Sequence, residues 1–132
     1  MCGLVGFWSA TQTADATAVA LGMATRIEHR GPDACGVWSP AEGDGPVLAH
    51  RRLSILDLSP CGAQPMRSGS GRFVVAYNGE IYTFRTLRDE LARDGATFTG
   101  HSDTEVLLAA VERWGVERAV ARCAGMFAFA LW

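Results

Sequence analysis

The residue best equipped for chemistry stands second in the chain, in Met1-Cys2-Gly3. Cysteine and glycine are small, so removal of Met1 would leave Cys2 with a free α-amine beside its thiol. Such a residue carries its own nucleophile and its own base. An α-amine titrates near ~7.7–8.0 and a thiol near ~8.5. Around neutral pH the amine can therefore accept the thiol proton, directly or through a water, and later return it to a departing amine. The plainer alternative is an inert cysteine that happens to stand second.

Four other runs offer complementary groups. In His50-Arg51-Arg52-Leu53 only one of two adjacent arginines in a strand can turn toward a site, where its planar fork would grip a carboxylate. Arg52 is the candidate; two solvated arginines are the alternative. In Asn78-Gly79-Glu80 the Asn78 amide and the Gly79 N–H could point at one spot, as an oxyanion hole requires, although Asn-Gly is also the strongest hairpin-turn signal in the chain. Ser102-Asp103-Thr104-Glu105 has capping-box spacing. Asp103 is an extra acid there, able to receive a substrate ammonium or merely to complement the helix dipole. His29, in His29-Arg30-Gly31-Pro32-Asp33, has no metal-ligand spacing and is expected to order the loop beside the terminus; His50 and His101 are read as structural too.

The elements that must hold these groups follow from periodicity and punctuation. Strands are expected at Gly3–Trp8, Cys35–Trp38, Val47–Arg51, Leu53–Leu58, Arg72–Tyr77 and Gly125–Trp132. A helix capped by Asp15 should bury Val19, Met23, Ala24 and Ile27 and stop before Gly31-Pro32. Ser59–Ser70 reads as a polar loop. Further helices are expected from Thr83 to Gly95, with Leu87 and Leu91 inward, and from Ser102 to Gly115, followed by a short helical stretch to Arg122. Strands with hairpin-like links and a few outer helices argue for an α+β domain with largely antiparallel sheets. The apolar strand at the very end predicts that more of the fold follows it.

Bulk properties exclude several classes. The 132 residues fit one domain (1–132), and a formal net charge of −2 gives no electrostatic reason to expect nucleic acid or an anionic membrane. No apolar run approaches the roughly 20 residues needed to span a bilayer. The start lacks the pattern of a secretory signal. Cys2, Cys35, Cys61 and Cys123 are widely spaced, which disfavours a disulfide framework or a zinc site and points to a cytoplasmic chain with reduced thiols.

Each motif is weak alone, but their order is specific. Met1-Cys2-Gly3, His29-Arg30-Gly31-Pro32-Asp33, His50-Arg51-Arg52-Leu53-Ser54-Ile55, Gln64-Pro65-Met66, Tyr77-Asn78-Gly79-Glu80-Ile81-Tyr82, Ser102-Asp103-Thr104-Glu105 and Gly125-Met126-Phe127-Ala128-Phe129-Ala130 together resemble the glutaminase domain of class II glutamine amidotransferases. Within that class the wording is most similar to glutamine-hydrolysing asparagine synthetase. The resemblance spans essentially the whole chain.

It implies an N-terminal nucleophile hydrolase fold, an αββα sandwich of two largely antiparallel sheets, here C-terminally incomplete. It also implies roles. Cys2 would attack the side-chain amide of L-glutamine to form a glutamyl thioester, with Asn78 and Gly79 holding the oxyanion. Arg52 would bind the α-carboxylate, Asp103 and Glu80 the α-ammonium, and the backbone of Leu53, Ser54, Ile55 and Leu56 would line the pocket. No metal or other cofactor is implied in this chain; ATP and magnesium belong to a synthetase domain that these residues do not include and that would be the partner for ammonia. A homodimer is left open. The family usually has asparagine where Thr83 stands, and both residues cap helices well. The alternatives are an inactive fragment or binding module that keeps the fold, and an amide hydrolase of another specificity. Against the latter, a neutral amide would leave Arg52 and Asp103 unpaired in a pocket.

Overall fold

The computed structural model describes residues 2–9, 15–41, 44–55 and 59–132. Strands β1 (Gly3–Phe7), β2 (Ala34–Trp38) and β3 (Val47–Arg52) form one antiparallel sheet in the order β1-β3-β2. Strands β4 (Met66–Arg67), β5 (Val74–Ile81) and β6 (Gly125–Leu131) form a second, in the order β4-β5-β6. Helix α1 (Ala16–Arg26) covers the outer face of the first sheet. Helices α2 (Phe84–Arg93), α3 (Asp103–Trp114) and α4 (Val116–Arg122) form the layer outside the second, with α3 against β5.

Strand alternation explains how the layers stack. On β3, Val47 and Ala49 face Ala20 and Ala24 of α1, whereas Leu48 turns inward to meet Val74 and Ala76 of β5. On β5, Val75, Tyr77 and Ile81 turn the other way, into the cluster built with Leu87 and Leu91 of α2 and Val106, Leu107 and Val111 of α3. Both central strands are thus covered on two faces, and the order of layers is helix, sheet, sheet, helix. The expected two-sheet αββα sandwich is what the chain forms.

Several local expectations are corrected. Asn78-Gly79 is not a hairpin turn: β5 runs straight through it, paired with β6 from Val75↔Leu131 to Ile81↔Gly125. Glycine is needed at 79 because β6 comes so close that a Cβ would overlap Met126 O and Phe127 Cα. The strand expected at Leu53–Leu58 is absent at Leu53–Ile55, which leave β3 as irregular chain; residues 56–58 lie outside the described residues. The 59–70 loop contains a 3₁₀ turn (Pro60–Gly62) and β4. Helix α1 is capped by Asp15, whose Oδ1 accepts from Ala18 N–H at 3.0 Å, but its buried face is Ala20 and Ala24 while Val19 is half exposed. Small side chains let the helix lie close on the sheet. Helix α3 has half the expected capping box: Glu105 N–H donates to Ser102 Oγ at 3.2 Å, while the Glu105 carboxylate reaches past the cap to Thr99 N–H at 2.7 Å and Gly100 N–H at 3.0 Å. Thr83 makes no side-chain cap for α2; its hydroxyl accepts from Ala124 N–H at 3.1 Å and ties α2 to the start of β6.

Candidate active site

The residues singled out by type converge where the ends of β1, β3 and β5 meet the N-terminus of α3. Cys2, Arg52, Leu53, Ile55, Asn78, Gly79, Glu80 and Asp103 all line one cleft of about 190 Å³. Ser54 does not line it; its N–H donates to Asp33 Oδ2 at 2.8 Å, fastening the chain that leaves β3. Leu56 lies outside the described residues.

Cys2 sits immediately before β1, whose antiparallel pairing places Gly3 opposite Arg51. Its Sγ is half-buried beside the Leu53 backbone, accepting from Leu53 N–H at 3.3 Å and lying 3.6 Å from Leu53 O. The neighbouring loop is tied to the terminus by arginines and not by the histidine expected to do so. Arg30 Nε donates to Cys2 O at 3.2 Å, and Arg51 Nε donates to Gly31 O at 3.0 Å while its Nη2 pairs with Glu28 at 2.6 Å. His29 is exposed. A planar guanidinium reaches several carbonyls at fixed angles, which an imidazole cannot.

The two adjacent arginines divide the work as strand geometry requires. Arg51 is buried in those loop contacts, and Arg52 turns into the cleft. Arg52 Nη1 donates to Ser59 O at 3.0 Å, and its guanidinium lies against Gly62 of the Pro60–Gly62 turn. A Cβ at Gly62 would fall on Nη2, so glycine there makes room for the fork.

Across the cleft lies β5. Val74 exchanges both backbone hydrogen bonds with Trp132, so in an antiparallel ladder the even residues of β5 bond to β6 and the odd ones turn their N–H groups away from it. Three odd N–H groups follow one another past the end of β4. Tyr77 N–H donates to Gln64 Oε1 at 2.6 Å and Ile81 N–H donates to Asp103 Oδ2 at 3.0 Å. The one between them belongs to Gly79, which lines the cleft, and by the same alternation it points away from β6. The Asn78 side chain turns to the opposite face, toward the first sheet, and its amide oxygen is buried with no partner among the described residues. Buried polar groups are nearly always paired, so this amide is poised for a partner that the described residues do not supply.

Asp103 opens α3 and is only 5% exposed. Its Oδ2 accepts from Ile81 N–H and from the Tyr77 hydroxyl at 2.8 Å. Burial, and then the adjacent Asp103 charge, push the Tyr77 hydroxyl well above the ordinary phenol range, so it remains a donor. His50, fully buried between the sheets, has its Nε2 2.9 Å from Tyr77 O. Burial lowers its pKa to about 4, the Tyr77 carbonyl opposes that shift, and Arg52 adds to it. The mouth of the cleft carries exposed apolar side chains: Ile55, Tyr82 and Met126. Motif reading did not mark Gly62, Gln64, Tyr77, Thr104 or Met126 as part of the site. Only Tyr77 left a usable signal, since a tyrosine alternating with core residues on a strand needs a buried partner for its hydroxyl.

A half-buried cysteine at the start of β1, opening onto a cleft between two helix-flanked antiparallel sheets, is the arrangement of the N-terminal nucleophile hydrolases. The fold agrees with a solved structure of that class, the glutamine phosphoribosylpyrophosphate amidotransferase of Bacillus subtilis complexed with ADP and GMP: the TM-score is 0.79 over 98% of this chain and 34% of that one, and at 19% identity the likeness concerns the fold alone. Residues 1–132 match the family model of the glutamine amidotransferase domain, and the chain belongs to that family. It is 40% identical to asparagine synthetase [glutamine-hydrolyzing] 1 of Bacillus subtilis and 39% identical to asparagine synthetase B [glutamine-hydrolyzing] of Escherichia coli, each over the whole of this chain. The chain spans only 21% and 23% of those relatives' lengths. Its amidotransferase domain is therefore of the asparagine synthetase type.

Proposed function

We propose that this chain hydrolyses L-glutamine to glutamate and ammonia through a γ-glutamyl thioester on Cys2. The observation that carries the reading is the meeting, in one small cleft, of a near-terminal thiol, a guanidinium, a buried carboxylate and an outward backbone N–H. A zwitterionic amino acid with a side-chain amide asks for this set of groups.

After loss of Met1, the Cys2 α-amine takes the thiol proton and Sγ attacks the amide carbon. The tetrahedral oxyanion is held by Gly79 N–H and by the Asn78 amide, whose nitrogen and oxygen exchange places by a half-turn about χ2. The C–N bond breaks, the protonated amine gives its proton to the departing ammonia, and water then cleaves the thioester to glutamate. Arg52 binds the α-carboxylate, Asp103 the α-ammonium, and Glu80, exposed at the rim, adds to the latter. Leu53 and Ile55 form a wall. In a protein of the relatives' length the ammonia would pass to an ATP- and magnesium-dependent synthetase domain, in a cytoplasmic setting that suits four free cysteines. Ile55, Tyr82 and Met126 would give that domain an apolar collar over the cleft.

The test is intact mass and peptide mapping before and after a glutamine-like diazoketone. The reading requires a chain that has lost Met1 and is labelled at Cys2, together with glutamate release that Cys2→Ala abolishes and Cys35→Ala, Cys61→Ala and Cys123→Ala retain. Equal loss of activity in Cys35→Ala would sink the single-nucleophile mechanism.

A further inference from the structure

Beside the cleft, β5 changes the kind of partner it has. β4 is two residues long: Met66 stands opposite Val75 and Arg67 opposite Val74. Beyond Val75, no backbone strand among the described residues lies on that edge of β5. At the next outward-facing residue, Tyr77, two side chains substitute for it. Gln64 Oε1 accepts from Tyr77 N–H at 2.6 Å, and His50 Nε2 lies 2.9 Å from Tyr77 O. A carbonyl oxygen only accepts, so His50 carries its proton on Nε2 and donates. Gln64 Nε2 extends the brace to Thr104 Oγ1 at 3.3 Å, on the first turn of α3. Tyr77 is thus gripped at N–H, at C=O and, through Asp103, at its hydroxyl.

Two more residues of β4, bringing the backbone of residue 64 opposite Tyr77, would satisfy it equally well, but continued backbone pairing would go on to cover Gly79 N–H. Side chains stop where they are placed. They pair Tyr77 and leave the next outward donor open.

We propose that Gln64 and His50 are positioning residues for glutamine hydrolysis, holding Tyr77 as a strand partner would and thereby aiming the Asn78 amide and the Gly79 N–H into the cleft. The proposal rests on the glutaminase reading above. Neither side chain is assigned contact with the reacting atoms. They act through the two peptide groups that flank Tyr77: Gln64, from the loop before β4, accepts from the N–H of the Ala76–Tyr77 peptide, and His50, from the other sheet, donates to the C=O of the Tyr77–Asn78 peptide.

The experiment compares Gln64→Met with Gln64→Glu, and His50→Leu with His50→Gln, in the 132-residue chain. Methionine and leucine fill space without the hydrogen bond. Glutamate restores the acceptor for Tyr77 N–H, and glutamine restores a donor near the Nε2 position. Misaiming a reacting group by about 1 Å costs on the order of 10²-fold in rate. Gln64→Met and His50→Leu should therefore lower kcat for glutamate release by roughly tenfold to a hundredfold. KM for glutamine should stay within about threefold, because Arg52 and Asp103 are untouched. Alkylation of Cys2 by iodoacetamide, which needs no oxyanion donors, should proceed at the wild-type rate, and Gln64→Glu and His50→Gln should recover most of kcat.

An unchanged kcat in Gln64→Met overturns the proposal, and so does a parallel collapse of kcat, KM and alkylation rate without rescue. Should Gln64→Met fail to fold, Gln64→Asn decides instead: its shorter amide cannot reach Tyr77 N–H and must show the same selective loss. A wild-type chain that releases no glutamate overturns the glutaminase reading, and this proposal falls with it. An active wild type beside an unaffected Gln64→Met overturns the proposal alone.

Discussion

Asp103→Asn separates the internal hydrogen bonds of this carboxylate from its proposed role in binding the α-ammonium. Oδ2 already accepts from Ile81 N–H at 3.0 Å and from the Tyr77 hydroxyl at 2.8 Å, which leaves Oδ1 for a ligand. Asparagine can keep both internal bonds by placing its oxygen where Oδ2 stands. They become neutral bonds, and hydrogen bonds to charged groups are worth about 1.5–3 kcal/mol against about 0.5–1.5 for neutral ones. Two such exchanges should lower stability by about 2 kcal/mol. That arrangement turns the amide nitrogen, a donor, toward the site of the α-ammonium, which is also a donor. Losing one charge-assisted contact there costs roughly 2 kcal/mol of binding, or about a thirtyfold rise in KM for glutamine. Because the ammonium is bound alike in ground and transition states, kcat should change little. Glu80→Gln should raise KM far less, since Glu80 is exposed and water screens it. Steady-state glutamate release, coupled to glutamate dehydrogenase and paired with urea unfolding of each variant, reads both quantities. A variant that loses stability while KM stays within twofold of wild type would refute the assignment and leave Asp103 as a structural brace.

Two further outcomes are expected. Gly62→Ala places a methyl group on Arg52 Nη2 and must displace the guanidinium. KM for glutamine should rise by roughly tenfold with kcat retained, and adding Arg52→Ala should then cost little more. Fully additive effects on KM in that double-mutant cycle would mean that Gly62 does not act through Arg52. His50 has its folded pKa lowered to about 4 against 6.5 when unfolded. As pH falls below ~6.5 the unfolded chain takes up this proton first, so stability is lost progressively until about pH 4 and levels off below it. The loss attributable to His50 is about 3 kcal/mol. Urea titrations at several pH values should show it in the wild type and lack that share in His50→Gln; identical pH profiles for the two would contradict the assignment.

Much of this protein is written locally. The helix ends at Asp15, Ser102, Gly95 and Gly115 are set by caps and by glycines that accept positive φ, and these depend on residues a few positions apart. The buried faces of α2 and α3 follow from helical spacing of large apolar residues. The chemical types in the cleft were legible for the same reason: a near-terminal thiol, an arginine fork and an acid at a helix start carry their reactivity with them.

Tertiary structure decided the rest, because the deciding contacts join residues far apart in sequence. Asn78-Gly79 has the composition of a turn, yet the approach of β6 keeps it in a strand and makes glycine necessary for space. Which arginine enters the cleft depends on the face of β3 and on the void left by Gly62. Beside Gly79, β5 has no backbone partner among the described residues on its β4 edge, and Gln64 and His50, 13 and 27 residues from Tyr77, complete that residue's pairing instead. Backbone hydrogen bonds are obligatory, but what satisfies them is settled by whatever the fold brings within about 3 Å. A sequence lists the candidates; only packing of the two sheets selects among them.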